Sequence, residues 1–275
     1  MSIQWFPGHM NKARREIADA MHSIDLVIEV VDARLPASSE NPMIASLRGE
    51  RPCLKILNKS DLADPEVTSS WIRHISKQAG MKAIALSLRQ PGAAKAIPGI
   101  CRTLVPNRGT VLKPIRVMIM GIPNVGKSTL INALAGRKVA KVADEPAVTK
   151  TQQQIEIAKG ILLVDTPGIT WPKFESESGG YNLAATGAIG RNAMDSLEVA
   201  RYAGDLILSS RPDLVSARYP GTFADADALL TEIGKRRGCL LPGGTIDLEK
   251  ASEIFLHEFR SGKIGRFSLE KPESN

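Results

Sequence analysis

The most constraining feature of this 275-residue chain is the stretch Gly121–Ser128, which reads GIPNVGKS and follows the pattern G-x-x-x-x-G-K-[ST]. The short apolar run Ile115–Met120 precedes it and predicts a buried strand, while Thr129–Leu134 follows it with helical composition. Glycines in such a loop let backbone N–H groups face an anion at the N-terminus of a helix. The pattern therefore predicts a nucleotide phosphate site in a fold that joins strands to helices.

The residue types within this loop indicate which phosphate and metal contacts each position would make. The Lys127 ammonium would reach the β- and γ-phosphates, so it is both a binding and a catalytic candidate, and the Ser128 hydroxyl would bind Mg²⁺. The other nucleotide contacts predicted in and after the loop are Asn124, Val125, Gly126 and Thr129.

A second motif, Asn58-Lys59-Ser60-Asp61, directly follows the apolar run Cys53–Leu57 and predicts guanine specificity. The Asp61 carboxylate can accept from both N1–H and the exocyclic amine of guanine, a donor pair that adenine lacks. Asn58 would bond near O6 and N7, and the stem of Lys59 would lie over the base. At the end of the next predicted strand, Ser87 and Leu88 would brace the base through backbone N–H groups.

The remaining phosphate-sensing residues are predicted after the loop. Asp165 would hold Mg²⁺ through water, and the N–H of Gly168 would meet the γ-phosphate. Between the phosphate loop and Asp165, Thr149 is the preferred candidate to bind Mg²⁺ and the γ-phosphate together. It is a catalytic candidate beside Lys127 and beside His9, which is discussed below. Thr151 is the alternative.

The order of these motifs determines the predicted fold. In ordinary small GTPases the phosphate loop comes first and the guanine motif last, whereas here Asn58–Asp61 precedes Gly121–Ser128. Permutation preserves strand neighbours, so the same site can form. The sequence therefore predicts an α/β, circularly permuted P-loop GTPase domain over residues 1–175, with a six-stranded, mostly parallel sheet and helices on both faces.

The pattern changes after Pro172, where no convincing strand remains. We interpret Glu175–Gly180 as a flexible joint and residues 176–275 as a small all-α domain. Helices are predicted near 197–208, 225–237 and 247–262.

Composition narrows the cellular setting. The net charge of +7 suggests a polyanionic partner, and 4% aromatic residues argue against recognition by base stacking. No apolar run approaches the ~18–20 residues needed to span a bilayer, and no secretion signal or Cys-x-x-Cys pair is present. We therefore expect a cytoplasmic monomer without a membrane partner.

The sequence resembles the ribosome biogenesis GTPase A family of bacteria in its permuted motif order and in four stretches. These stretches are Trp5–Met10 (WFPGHM), Asp32-Ala33-Arg34, Gly121–Ser128 and Asp165–Gly168. The ending Arg260–Arg266 is similar to that family's C-terminal segment, so the resemblance covers essentially the whole chain. It implies a GTPase that binds GTP and GDP and promotes maturation of the large ribosomal subunit, with the helical domain contacting ribosomal RNA. The basic residues expected at that RNA contact are Lys235, Arg236, Arg237, Arg260, Lys263 and Arg266.

Ile169 follows Asp165–Gly168 at the position where many GTPases carry a glutamine that orients the attacking water. An aliphatic side chain cannot do this, so either the enzyme is slow alone or another group enters the site. His9 is the candidate, because it titrates near neutral pH beside Gly8 and the resemblance also points to it. The alternative is that Trp5–Pro7 pins the N-terminus and His9 is a surface residue.

The resemblance also implies activation by K⁺. Related GTPases that have an asparagine at the position of Asn124 resemble potassium-activated enzymes. There K⁺ supplies positive charge between the α- and γ-phosphates. Two other functions stay open: an RNA-binding assembly module with little catalytic role, and a permuted GTPase for the small or an organellar ribosome. An ATPase is disfavoured because Asp61 finds no paired donors on adenine.

Overall fold

The computed structural model describes residues 15–139, 154–164, 177–189 and 194–273. Its centre is one six-stranded sheet in the order β3-β2-β1-β4-β6-β5. All neighbouring pairs are parallel except the β5–β6 hairpin, which confirms the predicted mostly parallel sheet. The strands are β1 Leu26–Asp32, β2 Cys53–Asn58, β3 Met81–Ala85, β4 Ile115–Met120, β5 Gln154–Ala158 and β6 Ile161–Val164.

The central strands form because their apolar, β-branched runs can be buried on both faces. Every residue of β1 and β2 is buried, as expected for parallel strands covered by helices. On one face, Ile17 and Met21 of a helix that includes residues 15–21 (α1) pack with Val27 and Cys53. The carboxyl ends of β1, β2, β3 and β4 therefore share one edge, where the predicted motifs emerge.

Short helices connect these strands. The segment after β1 contains the four-residue helix α2, whose proline suits a first helical turn. The helices of this part of the chain are α2 Pro36–Ser39, α3 Pro42–Arg48, α4 Pro65–Ser76, α5 Ile97–Leu104 and α6 Lys127–Ala135, with a 3₁₀ turn at Ala93–Ala96.

The chain divides into two compact units. The first contains Met1–Asp61, Pro65–Lys173 and Glu270–Asn275, and the second contains Leu62–Asp64 and Phe174–Leu269. The predicted boundary between residues 175 and 176 lies outside the described residues and stays a prediction. No helix in the described ranges is both long and apolar enough to cross a membrane.

The described part of the second unit is helical around its own core. The buried residues Ala200, Leu229, Phe255 and Phe259 belong to one apolar cluster that joins several of its helices. These helices are α7 Glu177–Thr186, α8 Ser196–Ser210, α9 Pro212–Arg218, α10 Ala226–Arg237 and α11 Leu248–Ser261. Asp195, Asp225 and Asp247 cap α8, α10 and α11 by accepting backbone N–H groups of the first turn.

The interpretation of Glu175–Gly180 as a flexible joint was wrong for its described part. Gly179 and Gly180 lie inside α7 and are buried. Glycine lowers intrinsic helix stability by about 1 kcal/mol, but Ala184 and Ala185 of the same helix belong to the core cluster. Burial of this helix outweighs the local preference of the glycine pair.

Candidate nucleotide-binding site

The phosphate loop leaves β4 as predicted and has a backbone that only glycine fits at two points. Gly121 has φ 144°, and a Cβ there would lie 2.4 Å from the carbonyl oxygen of Val30. Gly126 has φ 107°, and a Cβ there would lie 2.2 Å from Nδ2 of Asn58. Glycine is therefore required at both positions by the positive φ and by a close neighbour, which is backbone at Gly121 and the Asn58 side chain at Gly126. The loop ends at the N-terminus of α6, a site that favours anions.

Lys127, the first residue of α6, is half-buried and folded onto the loop. Its Nζ donates to the carbonyl oxygen of Ile122 at 2.6 Å. Burial lowers the pKa of this ammonium to about 8. A cation that is desolvated and held beside the loop gains more from an approaching phosphate than a solvated lysine would.

Asn58 connects the predicted guanine motif to the phosphate loop. Its Nδ2 donates to the carbonyl oxygen of Val125 at 2.6 Å, although the two residues are 67 positions apart. The side-chain amide has a second N–H, which can serve the base. Its Oδ1 is buried and has no hydrogen-bond partner in the described part of the chain, an arrangement that suits a polar site better than an apolar core.

Lys59 and Asp61 of the same motif each lie beside a side chain of opposite charge. Lys59 has a left-handed backbone, with φ 59°, and its Nζ lies 3.0 Å from Oδ2 of Asp32. Asp61 is partly exposed, and its Oδ2 lies 3.4 Å from Nη1 of Arg89, whose side chain is mostly in solvent. An exposed pair at this distance is weak, so the Asp61 carboxylate can exchange Arg89 for the donors of a base.

The end of β3 reaches the same place. Leu88 lies near the phosphate loop, since its Cδ1 would be 3.7 Å from a Cβ on Gly126. Ser87 is buried, and its hydroxyl has no hydrogen-bond partner among the described residues. The structure thus brings Ser87–Leu88, Asn58–Asp61 and Gly121–Ser128 to one edge of the sheet.

Sequence reasoning noted Asp32 only as part of a family motif and gave it no role. The structure places it between the guanine motif and the phosphate loop, because β1 lies between β2 and β4. Burial alone would raise its pKa, but the guanidinium of Arg34 and the ammonium of Lys59 outweigh it and lower the pKa to about 2. A charged side chain at the end of a mostly apolar strand was the signal that could have identified it.

The cation ligands predicted in the loop can be placed only in part. Ser128 lies in the first turn of α6, where its hydroxyl suits a Mg²⁺ ion bound with phosphates. Asn124 is exposed and has a left-handed backbone, with φ 59°, and Thr129 is exposed in the first turn of α6. Within the described ranges no group of three or more His, Cys, Asp or Glu side chains forms a protein-only metal site. A Mg²⁺ ion bound with a nucleotide takes some of its ligands from the phosphates.

The remaining predicted residues of the GTPase unit lie outside the described residues. They are His9, Thr149, Thr151, Asp165, Gly168 and Ile169.

The six basic residues predicted to contact RNA all belong to the second unit, where they differ in how they are held. Arg260 donates to the carbonyl oxygens of Ala184 and Ala185 at 2.8 and 3.0 Å, respectively. Arg266 donates to the carbonyl oxygen of Ala63. These two arginines therefore have structural roles, and the carbonyl contacts of Arg260 stabilise the last turn of α7.

The other four side chains are exposed, as is that of Arg266. Lys235, Arg236 and Arg237 form the last turn of α10, and Lys263 follows the end of α11. Arg236 pairs with Glu232 one turn earlier, and Arg237 lies 3.3 Å from the buried carboxylate of Glu258.

Comparison with known proteins places this arrangement among ribosome-associated GTPases. A family model described as a 50S ribosome-binding GTPase matches residues 116–207. The ribosome biogenesis GTPase A of Bacillus cereus is 45% identical over 282 residues, covering 99% of this chain and 95% of that protein. Two solved YlqF structures are 28% identical: a GDP-bound one has a TM-score of 0.69 and covers 94% of this chain, and a GNP-bound one from T. maritima has a TM-score of 0.68 and covers 96%. Both matches cover 100% of the solved chain.

Proposed function

Because the chain belongs to the ribosome biogenesis GTPase A family, we propose that it binds the maturing large ribosomal subunit and promotes a late step of its assembly, with hydrolysis of GTP stimulated by that subunit. GTP hydrolysis itself follows from the family and its GTPase domain. The structural observation that supports the GTP-binding part of the proposal is the hydrogen bond between Asn58 and Val125, which joins a guanine motif to a phosphate loop in permuted order. The part that concerns the large subunit rests on the family and on the match to a 50S ribosome-binding GTPase model.

In the proposed nucleotide site, Asp61 reads the paired donors of guanine, and Asn58 and Lys59 bind its other edge and face. Lys127 and the N-terminus of α6 hold the phosphates. Ser128, Thr149 and Asp165 would hold Mg²⁺, which neutralises charge on the phosphates when bound. Asn124 would contribute to a K⁺ site beside the same phosphates.

Slow turnover in the absence of the ribosome follows from Ile169, which cannot orient a water. We assign that task to His9, brought into place when the subunit binds. A His9→Ala variant should then retain GDP affinity and lose subunit-stimulated turnover. If stimulated turnover survived in that variant, His9 would have no catalytic part.

The RNA contact is proposed for the exposed basic residues of the second unit. Lys235, Arg236 and Arg237 extend from the C-terminal end of α10, and Lys263 extends from the chain after α11. Exposed cations that bind RNA phosphates release counterions, so affinity falls as salt rises. Arg260 and Arg266 are weaker candidates because their guanidinium groups already bond to backbone carbonyls.

The most informative experiment measures GTP turnover by the full chain alone, with purified large subunits and with small subunits, each in KCl and in NaCl. We expect stimulation by the large subunit only, and faster turnover in K⁺. Stimulation by small subunits alone would redirect the assignment to that subunit, and equal stimulation by both would contradict specificity for the large subunit. No stimulation by either would favour an RNA-binding module. Equal rates in both salts would refute the role of K⁺.

Co-sedimentation with large subunits tests the basic surface. Lys235→Gln and Lys263→Gln should each weaken binding and reduce the magnitude of its salt slope by about one. Lys77→Gln is the matched control, since Lys77 is an exposed lysine of the first unit. Unchanged salt slopes in the first two variants would refute the RNA assignment.

A further inference from the structure

Asp32 is a buried acidic residue that the proposed reaction does not use. It ends β1, is fully buried and lies in register with Asn58 of β2. The neighbouring backbone is tied to the guanine motif as well, because the N–H of Ala33 donates to the carbonyl oxygen of Asn58 at 2.8 Å. Asp32 is therefore attached to the strand end from which the base would be recognised.

The orientation of the Asp32 carboxylate is fixed from one side by Arg34. The Nε of Arg34 donates to Oδ1 at 2.9 Å, and its Nη2 donates to Oδ2 at 2.7 Å. The backbone N–H of Asp32 in turn donates to Oγ of Ser39. This two-point contact defines the plane of the carboxylate, since the guanidinium fork matches both oxygens.

The Oδ2 atom of Asp32, which accepts from Arg34, also contacts Lys59. The Nζ of Lys59 lies 3.0 Å from Oδ2 of Asp32, while about a quarter of the Lys59 side chain, 26%, remains accessible to solvent. Its left-handed backbone, with φ 59°, fixes where the side chain starts. A lysine that is fixed at its Cα and held at its ammonium has a restricted stem between these two points.

We propose that Asp32 is a positioning residue for guanine binding, which holds the ammonium of Lys59 so that the stem of Lys59 forms a preorganised wall of the base pocket. The proposal rests on the guanine site proposed above. A free lysine side chain loses rotamer freedom when a base packs on it, and Asp32 removes most of that loss before the nucleotide arrives. The Asp32-Ala33-Arg34 motif then serves the base end of the nucleotide rather than the phosphate end.

The test is a double-mutant cycle on the full chain, read out by the affinity for a fluorescent GDP analogue. Asp32→Asn keeps the shape of the side chain and removes its charge, and Lys59→Met keeps an aliphatic stem and removes the ammonium. We expect each variant to bind GDP about tenfold more weakly, and the double variant to bind no more weakly than Lys59→Met. Effects that multiply in the double variant, or an Asp32→Asn affinity within twofold of the parent, would overturn the proposal.

Steady-state kinetics separate positioning from a general structural role. The base is remote from the γ-phosphate, so Asp32→Asn should raise the KM for GTP and leave kcat within twofold. Loss of kcat at unchanged KM, together with a reduced folded fraction, would mean that Asp32 only supports the fold. If Asp32→Asn did not fold, the GDP affinity of Lys59→Met would test the proposal, because Lys59 is outside the core. Unchanged GDP affinity in Lys59→Met would overturn the proposal.

One further variant distinguishes this inference from the site on which it rests. Asp61→Ala should weaken GDP binding whether or not Asp32 positions Lys59. If Asp61→Ala bound GDP normally, the guanine site itself would be wrong, whereas weak binding by Asp61→Ala with normal binding by Asp32→Asn would contradict only the positioning role.

Discussion

The side-chain Nδ2 of Asn58 donates to the backbone carbonyl oxygen of Val125 at 2.6 Å, across 67 positions of sequence. This hydrogen bond connects the guanine motif directly to the phosphate loop. Loss of this hydrogen bond should therefore disturb both the guanine motif and the phosphate loop, even though the two motifs lie in reversed order along the chain.

Asn58→Asp tests this connection with an isosteric change. A carboxylate oxygen cannot donate to the Val125 carbonyl, and it would be buried against another acceptor. We expect the free energy of unfolding to fall by about 2–3 kcal/mol and GDP affinity to fall by about 100-fold. Asn107→Asp, an exposed asparagine in the same unit, is the control. Chemical denaturation and nucleotide titration check both, and equal behaviour of the two variants would contradict the role of the bond.

Gly126→Ala tests the same contact from the loop. A methyl group at this position would lie 2.2 Å from Nδ2 of Asn58, at a backbone φ of 107° that side chains rarely adopt. The loop or Asn58 must then move, so we expect loss of GDP binding by at least about 100-fold.

The matched control is Gly136→Ala at the other end of α6. Gly136 also has a positive φ, 65°, but a Cβ there meets nothing within 4 Å. It should cost about 1–2 kcal/mol of stability with GDP affinity unchanged. If the two variants lost GDP affinity equally, positive φ alone and not the contact with Asn58 would explain the loss.

Much of this arrangement was predictable from the sequence. The six predicted strands are confirmed, and they were predictable because most residues of each are apolar and each contains at least one β-branched residue. The structure also brings Asn58, Ser87 and the phosphate loop close together, because parallel strands place their carboxyl ends at one edge. Their roles in binding a nucleotide stay predictions.

What the sequence did not predict depends on contacts between distant residues. The partner of Lys59 is Asp32 of another strand, and local patterns carry no information about which charges will meet. Likewise, Gly179 and Gly180 have poor helix propensity, yet they lie in α7 because that helix is buried in its unit. Tertiary packing outweighed local preference at this point.

Lys127 should make nucleotide affinity depend on pH. Burial lowers the pKa of its ammonium to about 8 in the free protein, and bound phosphates favour the charged form and raise the pKa. Binding therefore takes up a proton above pH 8, and GDP affinity should fall there by up to tenfold per pH unit. Below pH 7 this lysine contributes no dependence.

Titrations of a fluorescent GDP analogue between pH 7 and 9 check this dependence. Lys127→Met should bind weakly and lose the fall in affinity over this range, while Lys138→Met, an exposed lysine just beyond α6, should keep it. Parallel pH profiles for the parent chain and Lys127→Met would assign the dependence to another group.

Glu258 should control the acid stability of the second unit. It is fully buried, accepts two hydrogen bonds from Arg218 and one from Tyr219, and lies near Arg237. These partners, Arg218 foremost, lower its pKa from the ordinary value of 4.5 to about 2. The folded pKa is below the unfolded pKa, so the stabilisation is complete above about pH 4.5 and is lost as pH falls towards 2.

Glu258→Gln should reduce the free energy of unfolding at pH 7 by about 2–4 kcal/mol, because it breaks a buried charged network. Glu232→Gln is the control, since Glu232 pairs with Arg236 in a largely exposed position and should cost under about 1 kcal/mol. Urea unfolding followed by circular dichroism from pH 7 to 3 measures both. Below pH 4.5 the parent chain should lose stability more steeply than Glu258→Gln, so that the two curves of unfolding free energy against pH converge. Curves that stay parallel would mean that Glu258 is not the group that titrates.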